Sequence, residues 1–487
     1  MATFAPFDPA PTSELVDEKG RSLVEHVRSA AVSATRDAGQ YLVELKPGVD
    51  PDAFLAAYKA VSVPVAVHGP SSVWLPAGLG SAVFGNDPEP WEGAALPPGE
   101  FLGALWGSNP NQQELVAAML ERIRTERFGI MESPVGSGKT VMVTSMVLAL
   151  GVRTLFVTTT TNLLEQARDQ GFAVFAPHLK VGQLRGTKYK AVQGCDVVLA
   201  TPRTLAMRHD PAFLQQFGLL VFDEAHKAAT AEMGRAAAQL RCKYRIGVSA
   251  TLRRNDEKFL AIPAILGDVR ARLRRIWENI HYVQHLISHP TTTGELDVPL
   301  IKYGEYKGRP DSCKYQELIS TNIARHTAVV NCMLIDLATR GKIFAFCDRV
   351  AHLEAIQAVL ADRGVSAGVL HQKTNKGEKL KETLSHRVVL TTYASGVEGV
   401  NDPDVDTVYY VSPFSKAATN RVEQSIGRCR PGAGKPPPLL RDWVDRCPLG
   451  WSMHATRKKL VKGLNPVMTT VMVKLPGSLP GSLPGSR

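Results

Sequence analysis

Ser133-Pro134-Val135-Gly136-Ser137-Gly138-Lys139-Thr140 is the stretch on which the reading of this 487-residue chain turns. It follows a short apolar run, Phe128 to Met131, and opens a helical pattern from Thr140 to Leu150. A glycine-rich turn between a strand and a helix leaves backbone N–H groups free to face phosphates at the helix N-terminus. In such a turn Gly136, Ser137 and Gly138 lie along the phosphates, Lys139 reaches the β- and γ-phosphates, and the Thr140 hydroxyl holds Mg²⁺. The general spacing asks for glycine five residues before Gly138, and Ser133 stands there. The partners downstream therefore decide the reading.

The first partner is Val221-Phe222-Asp223-Glu224-Ala225-His226, which ends an apolar strand 84 residues after Lys139. Carboxylates at the C-terminal end of such a strand sit beside the phosphate loop in a doubly wound sheet. Asp223 can then hold Mg²⁺, and Glu224 can polarise the water in line with the γ-phosphate. Around this pair short apolar segments alternate with helical ones. Thr154–Thr158, Asp196–Ala200, Gly218–Phe222 and Ile246–Ala250 read as strands, which argues for a parallel sheet covered on both faces. A polar stretch at 288–312 reads as a connection, and the alternation restarts with Lys342–Cys347, Ala367–Leu370, Arg387–Thr392 and Thr407–Val411.

Composition bounds the rest. Net charge is +11, but residues 1–100 carry −7 and the remainder +18. The basic part suits a polyanionic partner, whereas the acidic part is a poor phosphate grip and a better candidate for protein docking. Apolar runs fall short of the ~18 residues a membrane span needs, and no basic-then-apolar leader is visible. Seven scattered cysteines without a CxxC favour reduced thiols in a cytoplasmic setting over disulfides or zinc. Glu14 to Ala34 reads as one or two helices, and the three Leu-Pro-Gly-Ser copies near the C-terminus read as a disordered tail.

The series of motifs resembles the superfamily 2 helicases and translocases of DEAD/DEAH type. Gln112 resembles their adenine-reading glutamine. Ser133–Thr140 is similar to motif I, in which Ala or Ser commonly replaces the first Gly. Thr158–Gln166 resembles motif Ia with Thr159 where Pro is usual, and Ala200–Leu205 resembles motif Ib. Asp223–His226 resembles motif II and Ser249-Ala250-Thr251 motif III. Phe346–Arg349, Thr391–Asp402 and Gln424–Arg428 resemble motifs IV, V and VI. The pattern Arg245-Ile246-Gly247-Val248-Ser249-Ala250-Thr251-Leu252-Arg253-Arg254-Asn255-Asp256 is similar to that of phage recombination helicases and the related repair and transcription helicases, with Leu252 in place of Pro.

The resemblance implies two tandem RecA-like α/β domains. The expected boundaries are an accessory region at 1–100, a first RecA-like domain at 101–287 and a linker at 288–315. A second RecA-like domain follows at 316–465 and a tail at 466–487. It implies ATP and Mg²⁺ as cofactors, with Gln112, Gly136, Ser137, Gly138, Lys139, Thr140, Glu398 and Gly399 contacting the nucleotide. It implies Glu224 as base, with Gln424 and Arg428 completing catalysis and Arg430 as a second arginine one position earlier than the family places it. His226, Ser249 and Thr251 would couple nucleotide to strand. Thr160, Arg185, Thr201, Arg203 and Thr392 fall where the family grips nucleic acid through its phosphates, which positions without reading sequence. The basic runs Arg270–Arg275 and Arg457–Lys462 are candidates for additional affinity. The expected activity is that of a monomeric, sequence-nonspecific helicase or translocase on DNA. An RNA helicase, an ATP-gated duplex clamp and the motor of a restriction system stay open.

Overall fold

Tyr244–Ser249 and Val197–Ala200 are buried along their whole length, as strands covered on both faces must be. They belong to one of two parallel sheets in the computed structural model. It describes residues 23–37, 40–60, 65–76, 79, 93–103, 110–134, 136–207, 211–250, 261–273, 280–374, 377–397, 402, 404–413, 425–427, 429, 436–462, 464 and 466–476. The chain divides into two compact units, with the change falling between Leu273 and Ile280.

The first unit opens with four antiparallel strands, β1 (Ala31–Asp37), β2 (Gln40–Leu45), β3 (Ala66–Gly69) and β4 (Ser72–Pro76), in the order β1-β2-β4-β3. Of the segment expected to be helical from Glu14 to Ala34, residues 14–22 lie outside the described ones; Leu23–Ala30 is helix, and the chain then turns into β1. Pairing with β2 wins over the helix propensity of its alanines. The core under this sheet, with Tyr41, Val43, Phe54, Tyr58 and Leu75, extends to Ala264 of the helix Ala261–Leu266.

After it come β5 (Phe128–Glu132), β6 (Thr154–Val157), β7 (Val181–Gln183), β8 (Val197–Ala200), β9 (Leu219–Asp223), β10 (Tyr244–Ser249) and β11 (Val269–Arg272). They form one sheet in the order β11-β5-β10-β9-β6-β8-β7, all parallel. Alternate residues feed two cores. Ile130, Leu155 and Phe222 face one, with helices Ala231–Ala238 and Ala261–Leu266; Met131, Phe156 and Val221 face the other, with helices Pro110–Glu126 and Lys139–Leu150. Arg245 lies fully inside, where its guanidinium donates to Ala237 O at 2.9 Å, Leu240 O at 3.0 Å and Ile265 O at 3.3 Å. It thus occupies carbonyls that the ends of two helices leave open.

The second unit holds β12 (His281–Ser288), β13 (Lys342–Cys347), β14 (Ala367–Leu370), β15 (Val388–Thr392), β16 (Val405–Tyr410), β17 (Leu439–Asp445) and β18 (Val467–Lys474). Their order is β14-β15-β13-β16-β17-β12-β18, again all parallel. Two expected boundaries move. β12 falls within the range expected for the first domain, yet it pairs with β17 and β18 in the second sheet. β18 lies in the stretch expected to be a disordered tail, yet all eight of its residues pair with β12. β12 hides because it buries Gln284 and His285, so it lacks an apolar signature. Residues 477–487, with most of the Leu-Pro-Gly-Ser repeats, lie outside the described residues.

Buried ion pairs staple this unit. Asp445 accepts from Arg325 Nε at 3.0 Å, His289 Nε2 at 3.0 Å and Tyr315 Oη at 3.2 Å. Asp442 likewise takes Arg457 Nη2 at 2.6 Å, His454 Nδ1 at 2.9 Å and Tyr282 Oη at 2.6 Å. The partner cations outweigh the cost of burial and hold both aspartates below their ordinary range. Among the described residues no helix is long and apolar enough to cross a membrane.

Candidate nucleotide and nucleic-acid site

The loops that follow β5, β10 and β9 lie side by side, because these three strands are neighbours and run parallel. That is where a doubly wound sheet places a ligand: outside the carboxyl ends of its strands. The loop after β5 turns through Gly136 (φ 79°) and Gly138 (φ 82°), a backbone region that side chains disfavour. Gly138 is constrained a second time, since a Cβ there would lie 2.3 Å from Gln112 Nε2. Gln112 Nε2 donates to Ser137 O at 2.5 Å. Its Oε1 is buried without a hydrogen-bond partner. A buried acceptor left open is costly unless a ligand satisfies it, and the amino group of adenine has the complementary chemistry.

Ser133, the departure from glycine, is fully buried and used two ways. Its N–H donates to Ser249 O at 2.8 Å, tying the loop to the end of β10. Its hydroxyl lies 2.5 Å from that of Ser137, which in turn donates to Pro134 O at 2.7 Å. A serine here closes the loop on itself, which glycine could not do.

At the end of β9, Asp223 Oδ1 accepts the Glu224 N–H at 3.0 Å. Glu224 itself is left-handed at φ 56°, ψ 50°, a conformation that costs a non-glycine residue on the order of 1–3 kcal/mol. Such strain at a carboxylate beside a phosphate loop points to function more than to folding. His226 Nδ1 lies 3.1 Å from Ser249 Oγ and 3.3 Å from Glu224 Oε2. One imidazole nitrogen thus joins the end of β9 to the end of β10.

Two adjacent carboxylates do not ionise equally here. Burial, and then the charge of Glu224, pushes Asp223 above the ordinary carboxylate range, against a smaller pull from Lys139. Burial would raise Glu224 too, but His226 and Lys139 outweigh it and hold Glu224 low. Glu224 is therefore the first of the pair to ionise as pH rises. Thr140, in the first turn of the helix Lys139–Leu150, and Asp223 supply hard oxygen donors. Among the described residues no group of three or more His, Cys, Asp and Glu could hold a metal by itself. A site with one carboxylate and one hydroxyl fits Mg²⁺, which takes its remaining ligands from phosphates and water.

The other half of the same sheet edge belongs to β6, β8 and β7. Thr160 caps the helix Thr161–Ala167 after β6, accepting from Leu163 N at 3.4 Å. Thr201 caps Pro202–Leu205 after β8, accepting from Thr204 N at 3.2 Å. Arg185, after β7, and Arg203 are exposed. Nucleotide-facing and phosphate-gripping candidates are thus laid out in sequence along one edge, β5-β10-β9 then β6-β8-β7. In the second unit Thr392 ends β15 and accepts from Ser395 N at 3.4 Å. Thr251, Glu398, Gly399, Gln424, Arg428 and Arg430 lie outside the described residues.

The expectation for the basic runs is corrected in part. Arg457 is 1% exposed and bound to Asp442, so it is a core cation and no phosphate ligand. Arg272 is ion-paired with Glu132 at the end of β5. Lys459 and Lys462 remain exposed on the helix Pro448–Lys462. The link from Ser133 to Ser249 is invisible in the sequence, since no pattern of residue types announces it.

Residues 107–254 match the family model described as "Type III restriction enzyme, res subunit". "Putative helicase 055L" of Frog virus 3 (isolate Goorha) is 26% identical over 367 residues, covering 74% of this chain and 78% of the viral one. "Putative DNA 3'-5' helicase Rad25" of Halobacterium salinarum is 33% identical over 336 residues, covering 66% of this chain. The match spans only about half of that relative, 52%. Among solved structures, a point variant of S. cerevisiae Dbp5 bound to RNA and ADP BeF3 aligns with a TM-score of 0.51 at 14% identity, over 74% of this chain and 89% of Dbp5. That likeness is one of fold: two parallel-sheet domains in tandem.

Proposed function

We infer that this superfamily 2 helicase, recognised by its motif order, its two parallel seven-stranded sheets and its relatives, couples ATP hydrolysis to movement along DNA. One observation carries the reading. The phosphate loop, the Asp223–Glu224 pair and the His226–Ser249 link stand together at one sheet edge, with the phosphate-gripping candidates continuing along it.

Gln112 would take adenine through its open Oε1. The backbone of Gly136, Ser137 and Gly138, with Lys139, would receive the phosphates. Thr140 and Asp223 would hold Mg²⁺, which when bound neutralises charge on the β- and γ-phosphates. Glu224, kept ionised by its neighbours, accepts the proton of the attacking water, and His226 holds its carboxylate in place. Arg428 is proposed to supply the cation that stabilises the transferring phosphoryl group, with Gln424, Glu398 and Gly399 as further nucleotide contacts and Arg430 as a second cation. Ser249 and Thr251 would report the state of the γ-phosphate to Thr160, Thr201, Arg185, Arg203 and Thr392.

DNA is favoured over RNA by the Arg245–Asp256 pattern and by the halobacterial relative, whose name is that of a DNA helicase. A monomer suffices, because the proposed residues come from a single chain. The acidic first hundred residues are proposed to dock protein rather than phosphate. The test is ATP-dependent strand displacement on forked DNA and on an RNA counterpart. Displacement of the DNA fork supports the reading. Hydrolysis with neither displacement nor translocation would replace the motor by a clamp, and activity on RNA alone would move the substrate.

A further inference from the structure

Between β12 and the helix Ser312–Thr321 the chain forms a small closed loop, Ile301 to Arg309. Its two ends are tied by Ile301 N–H to Arg309 O and Gly308 N–H to Ile301 O, both at 2.9 Å. Two inner turns are closed by Lys307 N–H to Gly304 O at 3.2 Å and Arg309 N–H to Tyr306 O at 3.1 Å. Gly304 (φ 83°) and Gly308 (φ 82°) permit the tight path. The base is fixed: Asp311 N–H donates to Pro299 O at 2.8 Å, and the Asp311 carboxylate caps the helix that follows. Ahead of the loop, Leu296 and Val298 pack on Tyr315, Ile319 and Cys447.

Tyr303 and Tyr306 stand on this framed loop, 85% and 53% exposed. A loop that orders its backbone yet leaves two aromatic rings largely in water gains little from them in folding. Lys302, Lys307 and Arg309 neighbour the two tyrosines in sequence, with Glu305 the one acidic residue between Ile301 and Arg309. The Arg309 guanidinium lies 5.3 Å from the Tyr306 ring centre, stacked against one face of it. Aromatic faces interleaved with cations are the chemistry that binds unpaired bases and their phosphates without regard to sequence. The sequence alone does not reveal this platform, because two tyrosines in a Gly- and Lys-rich connection carry no motif.

We propose that the loop 301–309 is a docking site for single-stranded nucleic acid, with Tyr303 and Tyr306 stacking on unpaired bases and Lys302, Lys307 and Arg309 holding the flanking phosphates. This rests on the nucleic-acid reading above. It adds a grip remote in sequence from the phosphate loop and independent of bound nucleotide.

The test titrates the full chain, without nucleotide, into a fluorescein-labelled single-stranded oligodeoxynucleotide, the RNA of the same sequence and a blunt duplex. Tyr303→Ala and Tyr306→Ala each weaken single-strand binding at least about fivefold, as loss of one stacked base does. Tyr303→Phe and Tyr306→Phe keep it, and blunt-duplex binding does not change. The DNA and RNA arms identify which strand the site takes. Single-strand affinity unaltered in both alanine variants overturns the inference and leaves the ATPase reading standing. Equal weakening on the blunt duplex also overturns it, since stacking needs unpaired bases. A wild-type chain that binds none of the three, and whose ATPase none of them stimulates, removes the nucleic-acid reading and this site with it.

Discussion

His226→Ala removes one imidazole whose Nδ1 is 3.3 Å from Glu224 Oε2 and 3.1 Å from Ser249 Oγ. Glu224 then keeps Lys139 as a counter-charge but loses the contact that contributes most to holding it ionised. A hydrogen bond to a charged group contributes about 1.5–3 kcal/mol. If that energy is expressed in the transition state, kcat falls by about 10- to 150-fold. The KM for ATP should stay within about threefold, because none of the nucleotide-binding candidates is touched. The pH profile adds a second readout. Burial raises the Glu224 carboxyl once His226 is gone, so the acid limb of kcat moves to higher pH. Ser249→Ala should cost less, since it leaves the His226–Glu224 contact intact. The double variant should be less impaired than the product of the singles, as residues in contact are not additive. Steady-state ATPase across pH measures all three. Wild-type kcat with an unmoved acid limb in His226→Ala would refute the idea that His226 serves the base.

Gly138→Ala forces a side chain to φ 82° and onto Gln112 Nε2, so nucleotide binding measured with a fluorescent ATP analogue should be lost; Gln112→Ala in the same chain should not restore it, because the backbone conformation remains. Arg325→Met leaves Asp445 buried without its guanidinium and should destabilise the second unit by about 3–5 kcal/mol in urea unfolding. Lys381→Ala, which breaks an exposed pair with Glu378, should leave the urea midpoint essentially unmoved in the same assay. Burial, then the nearby Arg441 or Arg325, lowers His285 and His326 to about 4, and burial lowers His352 further. Because the unfolded chain binds these protons first, stability is full above the unfolded value near about 6.5 and drains as pH falls toward about 4. The urea midpoint of the second unit should drop between about pH 7.5 and 5, and a flat profile would contradict the neutral, buried assignment.

The sequence carried the fold where strands are apolar on both faces, as in β6, β8, β9 and β10. It lost β12 and β18, one because it buries Gln284 and His285, the other because it precedes a low-complexity tail and is exposed along most of its length. Of the candidate site, the residue types and their order were legible, since phosphate chemistry demands a flexible loop, a cation and paired carboxylates at strand ends. What joins them was not. Arg457 reads as part of a basic run, and only the fold reveals that Asp442, fifteen residues earlier, takes its charge. Arg325 and Asp445 are 120 residues apart, and no local pattern pairs them. Ser133 reads as a defect in the phosphate loop until Ser249 and Ser137 are seen to meet it.

The edge formed after β5, β9 and β10 is proposed to hydrolyse ATP in response to nucleic acid, with Glu224 as its base. The direct measurement is single-turnover ATP hydrolysis by the full chain with saturating single-stranded DNA, in wild type and in Glu224→Gln, alongside ATP binding. Wild type should show DNA-stimulated turnover, and Glu224→Gln should retain ATP binding while losing at least about a hundredfold in hydrolysis, in keeping with a general base. Hydrolysis by Glu224→Gln at the wild-type rate would contradict that role.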